Sequence, residues 1–474
     1  MLFNSIEYFF FLPLFFFIYW IFQRKLGLQN LIILAGSYYF YGCWDQRFLI
    51  LIFLSSLVDY SVGLAIYKSS TSLKKRFFLS VSLIFNLGLL FVFKYYNFFI
   101  SEFEALVENL GYELVHQSIS IILPVGISFY TFQTLSYSLD IYNDKIKPSK
   151  NILAFFAFVS FFPQLVAGPI ERASNLLPQF LFSRKFDRNK ASMGLRQVLW
   201  GLFKKVAIAD SCSIYVDIIF ENYTDLGWPI LLLGTLLFSF QIYCDFSGYS
   251  DIAIGTAKLL GFNLMQNFSA PYFSRSIAEF WRKWHISLST WFRDYLYFPL
   301  GGSKVGSILQ SRNIVIVFLV SGLWHGANWT YVIWGAIHAL VFLPGIFLKM
   351  KPKSDLMAVK ALQTFRTFFI VNIAWVFFRA DTAKTAFLYL KNMFSFSTCS
   401  VDFWEKFDLQ PKSLITLFFF LAVLNLIEFK NRKLSFGLEE INLSIYLRFA
   451  FYIMLILVIL EYFISDKSFI YFQF

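Results

Sequence analysis

Residues 314–348 read IVIVFLVSGLWHGANWTYVIWGAIHALVFLPGIFL. A straight helix rises about 1.5 Å per residue, so this block would reach ~52 Å. The hydrocarbon core of a bilayer is only about 30 Å thick, and one upright span cannot hold it. The run is interrupted at SGLWHGANW (321–329), where Gly322, His325, Gly326 and Asn328 stand among branched and aromatic residues. A bend there divides the block, and the sequence leaves open whether the chain then crosses or turns back. Counted from Asn313, His325 lies roughly 18 Å along, a little over half the core.

The rest of the chain fits the same medium. Of 474 residues, 58% are hydrophobic, 22% aromatic and only 15% charged, where ordinary globular chains carry about 25% charge. Mean hydropathy is +0.61. A soluble fold of this size cannot cover so much apolar surface. Backbone polar groups in lipid must be satisfied internally, and runs such as Tyr8 to Ile21 lack the period-two alternation of barrel strands. The chain is therefore read as an all-α polytopic membrane protein.

The net charge of +12 would suit nucleic acid. Lysine and arginine also collect in cytoplasmic loops of membrane proteins, which accounts for the excess with no nucleic-acid partner. Cys43, Cys212, Cys244 and Cys399 lack the spacing of a zinc site or a disulfide framework, so no metal is expected. The first positive charges, Arg24 and Lys25, follow the first apolar run. That order predicts a retained span with its N-terminus outside, not a cleaved signal peptide.

Apolar segments fall at 5–22, 29–43, 48–67, 77–100, 119–142, 194–220, 228–247, 313–348, 364–380, 413–429 and 445–464. The loops at 68–76, 144–150, 184–190, 349–353 and 430–433 are basic and read as inside. Those at 101–113, 221–227 and 395–408 read as outside. The alternation predicts about eleven or twelve spans. A single membrane domain is expected, with peripheral N-terminal helices over 1–118, a catalytic core over 119–380, and an outer loop with C-terminal helices over 381–474.

Two segments depart from simple spans. FFPQLVAGPIERASNLLPQF (161–180) contains Pro163, Pro169 and Pro178, which forbid a straight helix. In YFSRSIAEFWRKWHISLSTWFRDYLYFPLGG (272–302), Ser276 and Glu279 have the spacing of a capping box. Trp281, Trp284, Leu288, Trp291, Phe292 and Tyr295 then recur at helical spacing, while Arg282, Ser289 and Arg293 share another face. This predicts a helix lying at the interface, its tryptophans at headgroup depth.

Ionisable residues inside a membrane are functional by default, although a neutral histidine is the least costly of them. Taken alone, His325 is read equally well as a base or as a helix-to-helix hydrogen bond beside a Gly322–Gly326 packing pair. His338 reads as a packing or hydrogen-bonding residue, and His116 as solvated. Asp245 and Asp251 read as structural hydrogen-bonding groups around Ser247 and Gly248. Arg172, Arg184, Lys185, Arg188, Lys204 and Lys205 could pair with phosphates, though the positive-inside rule predicts such a cluster without a ligand. No GxSxG elbow or activated cysteine is present, so a stable acyl-enzyme is not indicated.

Together, residues 161–180, 242–262, 280–302, 321–340, 375–394 and the FIYFQF stretch at 469–474 resemble the membrane-bound O-acyltransferase family, in its alginate O-acetyltransferase branch. The resemblance implies a helical bundle with re-entrant or interfacial segments and a central cavity. It implies that His325 is the catalytic histidine and His285 the second functional position. Candidate contacts for the donor are Trp281, Trp284, Arg282 and Asn328. The implied task is moving an acetyl group from cytoplasmic acetyl-CoA, a donor substrate and not a resident cofactor, to an extracytoplasmic polysaccharide. The implied partner is a periplasmic or surface acetyltransferase of the SGNH-hydrolase kind, and the implied setting is a bacterial cytoplasmic or inner membrane. D-alanyl or peptidoglycan O-acyl transfer by the same fold is an alternative. A glycan transporter or flippase is another, against which no paired half-sequences are visible.

Overall fold

A computed structural model describes residues 1–112, 121–166, 168–348, 356–396, 407, 411–441, 443–463 and 469–470. His116, the 349–353 loop and most of the outer stretch 395–408 lie outside the described residues. Among the described residues every regular element is helical, as an all-α membrane protein requires. Seven helices are long and apolar enough to cross a bilayer: Gln46–Lys68, Ser72–Asn109, Trp228–Leu259, Ser307–His325, Trp329–Phe347, Met357–Arg379 and Lys412–Lys430. Other apolar segments form shorter helices, such as Ile6–Ile21, Leu26–Gly42, Ile127–Tyr142 and Ile445–Glu461.

The chain forms two compact units. One comprises Met1–Ser192 with Thr256–Met265, the other Met193–Gly255 with Gln266–Phe474. In the first, large apolar side chains such as Phe10, Phe17 and Ile84 are exposed, whereas the buried helix faces carry polar groups. Asp59 is fully buried. It accepts hydrogen bonds from the Ser82 hydroxyl, from Asn86 Nδ2 at 2.7 Å and from Ser138 Oγ at 2.7 Å. Lipid offers no such partners, so these bonds tie three helices together. The proline-rich stretch forms the short pieces Phe162–Leu165, Ala173–Leu176 and Leu177–Phe180. Buried Glu171 secures it, accepting from Met265 N at 2.5 Å and Asn175 Nδ2 at 2.7 Å.

In the second unit, the block 314–348 resolves as a hairpin of Ser307–His325 and Trp329–Phe347. The chain turns back at Gly326–Asn328. A Cβ at Gly322 would lie 2.3 Å from Tyr331 O, and one at Gly335 would lie 2.3 Å from Phe318 O. Gly322 therefore packs against the returning helix, opposite Gly335, and does not form a packing pair with Gly326. The helix begins at Ser307, six residues before the apolar run, and His325 is its last residue, followed by the C-cap Gly326.

The interfacial helix is not continuous. Ile277–Lys283 and Ile286–Phe292 are separate helices, and His285 between them adopts φ 42°, ψ 55°. The aromatic spacing runs through this break, which is why periodicity alone reads one helix. The capping box forms in modified register: Ser276 Oγ accepts from Glu279 N at 3.2 Å, while Glu279 Oε2 accepts from Arg275 N at 2.9 Å.

Candidate active site

His325 ends one arm of the hairpin, and His285 sits at the junction of the two short helices. The fold brings their ring centroids to 6.5 Å. Both are buried, at 2% and 0% exposure. Rings surround His325: Trp324 at 5.0 Å, Trp334 at 5.1 Å and Phe378 at 5.3 Å. Phe246 stands edge-on to His285 at 4.6 Å, with Trp324 at 5.8 Å. Burial pushes the His285 imidazole down to about 3, so the ring is neutral at physiological pH.

The left-handed backbone at His285 is a conformation that non-glycine residues seldom adopt. It is held by a polar anchor. Asn267 Oδ1 meets His285 Nδ1 at 3.0 Å, Ser287 N at 3.3 Å and Ser287 Oγ at 2.9 Å. Ile286 N also donates to the Asn267 carbonyl at 2.9 Å. Sequence reasoning missed Asn267, because a lone asparagine 18 residues upstream leaves no periodic signal.

The expected donor contacts separate into different roles. Trp284 is fully buried against Trp375, at 5.0 Å between ring centroids. Trp281 donates from Nε1 to His338 Nδ1 at 3.3 Å, which gives His338 a hydrogen-bonding role. Trp281 and the exposed Arg282 line a cavity of about 440 Å³ that extends to Phe318 and Ser321, the latter one turn before His325. Asn328 is a helix cap: its Oδ1 accepts from Thr330 N at 3.0 Å, and its Nδ2 donates to Asp381 O at 2.8 Å. The indole N–H groups of Trp284, Trp334 and Trp375 have no hydrogen-bond partner among the described residues. Such a buried donor is costly, about 1–3 kcal/mol, and a bound carbonyl can relieve it.

Helix Ile277–Lys283 borders a second cavity, of about 980 Å³. Ala278, Trp281 and Arg282 face the first cavity, whereas Glu279 and Lys283 face the second. Arg275, Lys283, Lys360 and Arg432 line the second, together with Glu279 and the rings of Tyr272 and Phe368. Neither lining includes His285 or His325.

Lys204 and Lys205 are buried and engaged by acids. Lys204 Nζ lies 2.5 Å from Asp251 Oδ2, and Gln197 donates to Asp251 Oδ1 at 2.7 Å. Lys205 Nζ bridges Asp210 at 2.9 Å and Asp245 at 2.8 Å. Asp245 Oδ2 also accepts from Ile470 N at 2.7 Å. Phe469, fully buried, packs on Tyr249 at 4.5 Å and Phe246 at 5.6 Å. Residues 471–474 of the FIYFQF stretch lie outside the described residues. Among the described residues no cluster of histidine, cysteine and carboxylates could hold a metal ion.

Comparisons with known proteins follow this geometry. The model of the membrane-bound O-acyltransferase family matches residues 33–382. A probable alginate O-acetylase AlgI of Azotobacter vinelandii is 38% identical, over 87% of this chain and 82% of its own length. A peptidoglycan O-acetyltransferase of Helicobacter pylori is 36% identical over 83% of this chain and 80% of its own. A teichoic acid D-alanyltransferase of Bacillus subtilis is 28% identical over 48% and 60%. The matched residues contain His285, His325 and both arms of the hairpin, and the chain belongs to the membrane-bound O-acyltransferase family.

Proposed function

We propose that this enzyme transfers an acetyl group from cytoplasmic acetyl-CoA to a hydroxyl of an extracytoplasmic envelope polysaccharide, with His325 as general base. The observation that carries the reading is the meeting of His325 and His285, 40 residues apart in sequence, inside one cage of aromatic rings. A thioester carbonyl is already electrophilic, whereas a neutral hydroxyl attacks poorly until a base removes its proton. An imidazole whose unperturbed pKa is about 6.5 suits that task at neutral pH. In the proposed step the hydroxyl oxygen forms the new ester bond while His325 takes its proton. The carbon–sulfur bond breaks, and the thiolate leaves with the coenzyme. His285 helps hold the reactants.

Two features support the donor. The larger cavity carries Lys360 and Arg432, together with Arg275 and Lys283, which pair with Glu279 of the same lining, beside aromatic rings, a set that can meet a polyphosphate bearing a nucleobase. Tyr272 of that lining stands 6.1 Å from Trp284, whose next residue is His285. The alginate and peptidoglycan acetylases among the relatives favour acetyl, and an SGNH-like partner would act with this chain at the outer face. The D-alanyl reading rests on a relative matching about half of this chain.

The test supplies membranes with radiolabelled acetyl-CoA or with a D-alanyl carrier protein, for the native chain and His325→Ala. Acetyl incorporation that disappears in the variant at normal expression is the expected result. Polymer-bound acetate at the native level in His325→Ala overturns the assignment.

A further inference from the structure

We propose that Asn267 is the positioning residue for His285, holding its imidazole as the Nδ1–H tautomer so that Nε2 presents a lone pair. This rests on the reading above, in which His285 stands at the reacting centre, and it narrows what that ring can do.

The assignment follows from which groups can only donate. The side-chain amide of Asn267 could in principle face His285 with either its oxygen or its nitrogen. The same atom also faces the backbone N–H of Ser287, at 3.3 Å, and a backbone N–H cannot accept. That atom is therefore the oxygen. The other end agrees, since Asn267 Nδ2 donates to Ser250 Oγ at 3.2 Å. An amide oxygen only accepts, so its 3.0 Å contact with His285 Nδ1 requires the proton on Nδ1. In a neutral imidazole, Nε2 is then an acceptor.

Asn267 is itself fixed. It is 0% exposed, and its backbone carbonyl also accepts from Ile286 N. Side chain and backbone thus hold Ser287 and Ile286, the two residues that follow the strained His285 backbone. While neutral, His285 cannot polarise a thioester carbonyl from Nε2, because that atom has no hydrogen to give. It can accept one, either from the attacking hydroxyl or from an amide N–H of the donor. The groups packed against the ring are Phe246, Phe268, Trp324 and His325. On the other side of Asn267, its partner Ser250 is followed in sequence by Asp251, which pairs with Lys204.

The chain has only four histidines, which makes the tautomer measurable. Protein labelled with 15N-histidine, in nanodiscs without substrate, is compared with His285→Asn to identify the His285 signals. The expected spectrum shows Nδ1 protonated and Nε2 bare near neutral pH. Asn267→Leu loses that preference, and its kcat falls roughly 10–100-fold, the range seen when the partner of a ligating imidazole is removed, with KM changed by a few-fold at most. Asn267→Asp keeps the acceptor, so it retains the tautomer and most of kcat. A native spectrum with Nε2 protonated overturns the proposal, as does Asn267→Leu with native kcat. If Asn267→Leu does not fold, the native and Asn267→Asp spectra decide. Because the spectra need no substrate, they can fail while acetyl transfer stands, and acetyl transfer can fail while the tautomer stands.

Discussion

Lys205 and His325 are both buried in the second unit, at 1% and 2% exposure, yet their surroundings share little. Lys205 lies between two carboxylates, and its neighbour Lys204 lies on a third. His325 lies among indole and phenyl rings, with a second imidazole at 6.5 Å. A cation taken out of water needs an opposite charge beside it, and the pair is then locked in place. A neutral imidazole needs no counter-charge, so it can be buried and still exchange a proton. The residues of highest charge are the ones most thoroughly neutralised.

The comparison can be broken at either end. The largest effect is expected at the histidine: His325→Ala lowers turnover by roughly 10²–10⁴-fold, the usual contribution of a general base, with expression and melting temperature near native. Measured acetyl transfer and thermal melting of the purified protein separate the two readouts. Lys205→Met should do the reverse. It leaves Asp210 and Asp245 buried without a cation, at a cost of about 3–5 kcal/mol, so yield in membranes and thermal stability collapse. Removing the acids as well, in Lys205→Met with Asp210→Asn and Asp245→Asn, should recover part of the loss; no recovery would show that the cluster is more than a matched set of charges.

Smaller effects sharpen the same division. Gly335→Ala forces a methyl group against the Phe318 carbonyl and is expected to destabilise the hairpin by about 1–3 kcal/mol. Because the hairpin carries His325 at its tip, activity per folded molecule should fall too, which a melting curve paired with an active-fraction assay would reveal. Asn328→Ala removes a helix cap, about 1 kcal/mol. Its KM for acetyl-CoA should be native, whereas a large rise would return Asn328 to the donor site.

Much of this was legible before any coordinates. The excess length of 314–348 required a break and located it, and the prolines of 161–180 excluded a straight helix. Ser276 and Glu279 marked a helix start. These are local signals, written within a few residues of their effect. The break at His285 was hidden because aromatic spacing continues across it, and a histidine in left-handed conformation has no sequence signature. The acids that engage Lys204 and Lys205 lie up to 47 residues away, and a +12 chain offers too many cations to pair by inspection. Asn328 stands among the expected donor contacts. Its side chain caps the returning helix, a role that depends on the turn the sequence left open.

The docking of Phe469 and Ile470 bears on biosynthesis. Ile470 closes a hydrogen bond to Asp245, 225 residues upstream, and Phe469 packs on Phe246, the ring edge-on to His285. During translation, the helix Trp228–Leu259 emerges and enters the bilayer long before that segment exists. The wall behind His285 therefore remains unfinished until the ribosome has passed Ile470. A nascent chain with all its long helices inserted would still lack the contacts that Phe469 and Ile470 make behind that ring.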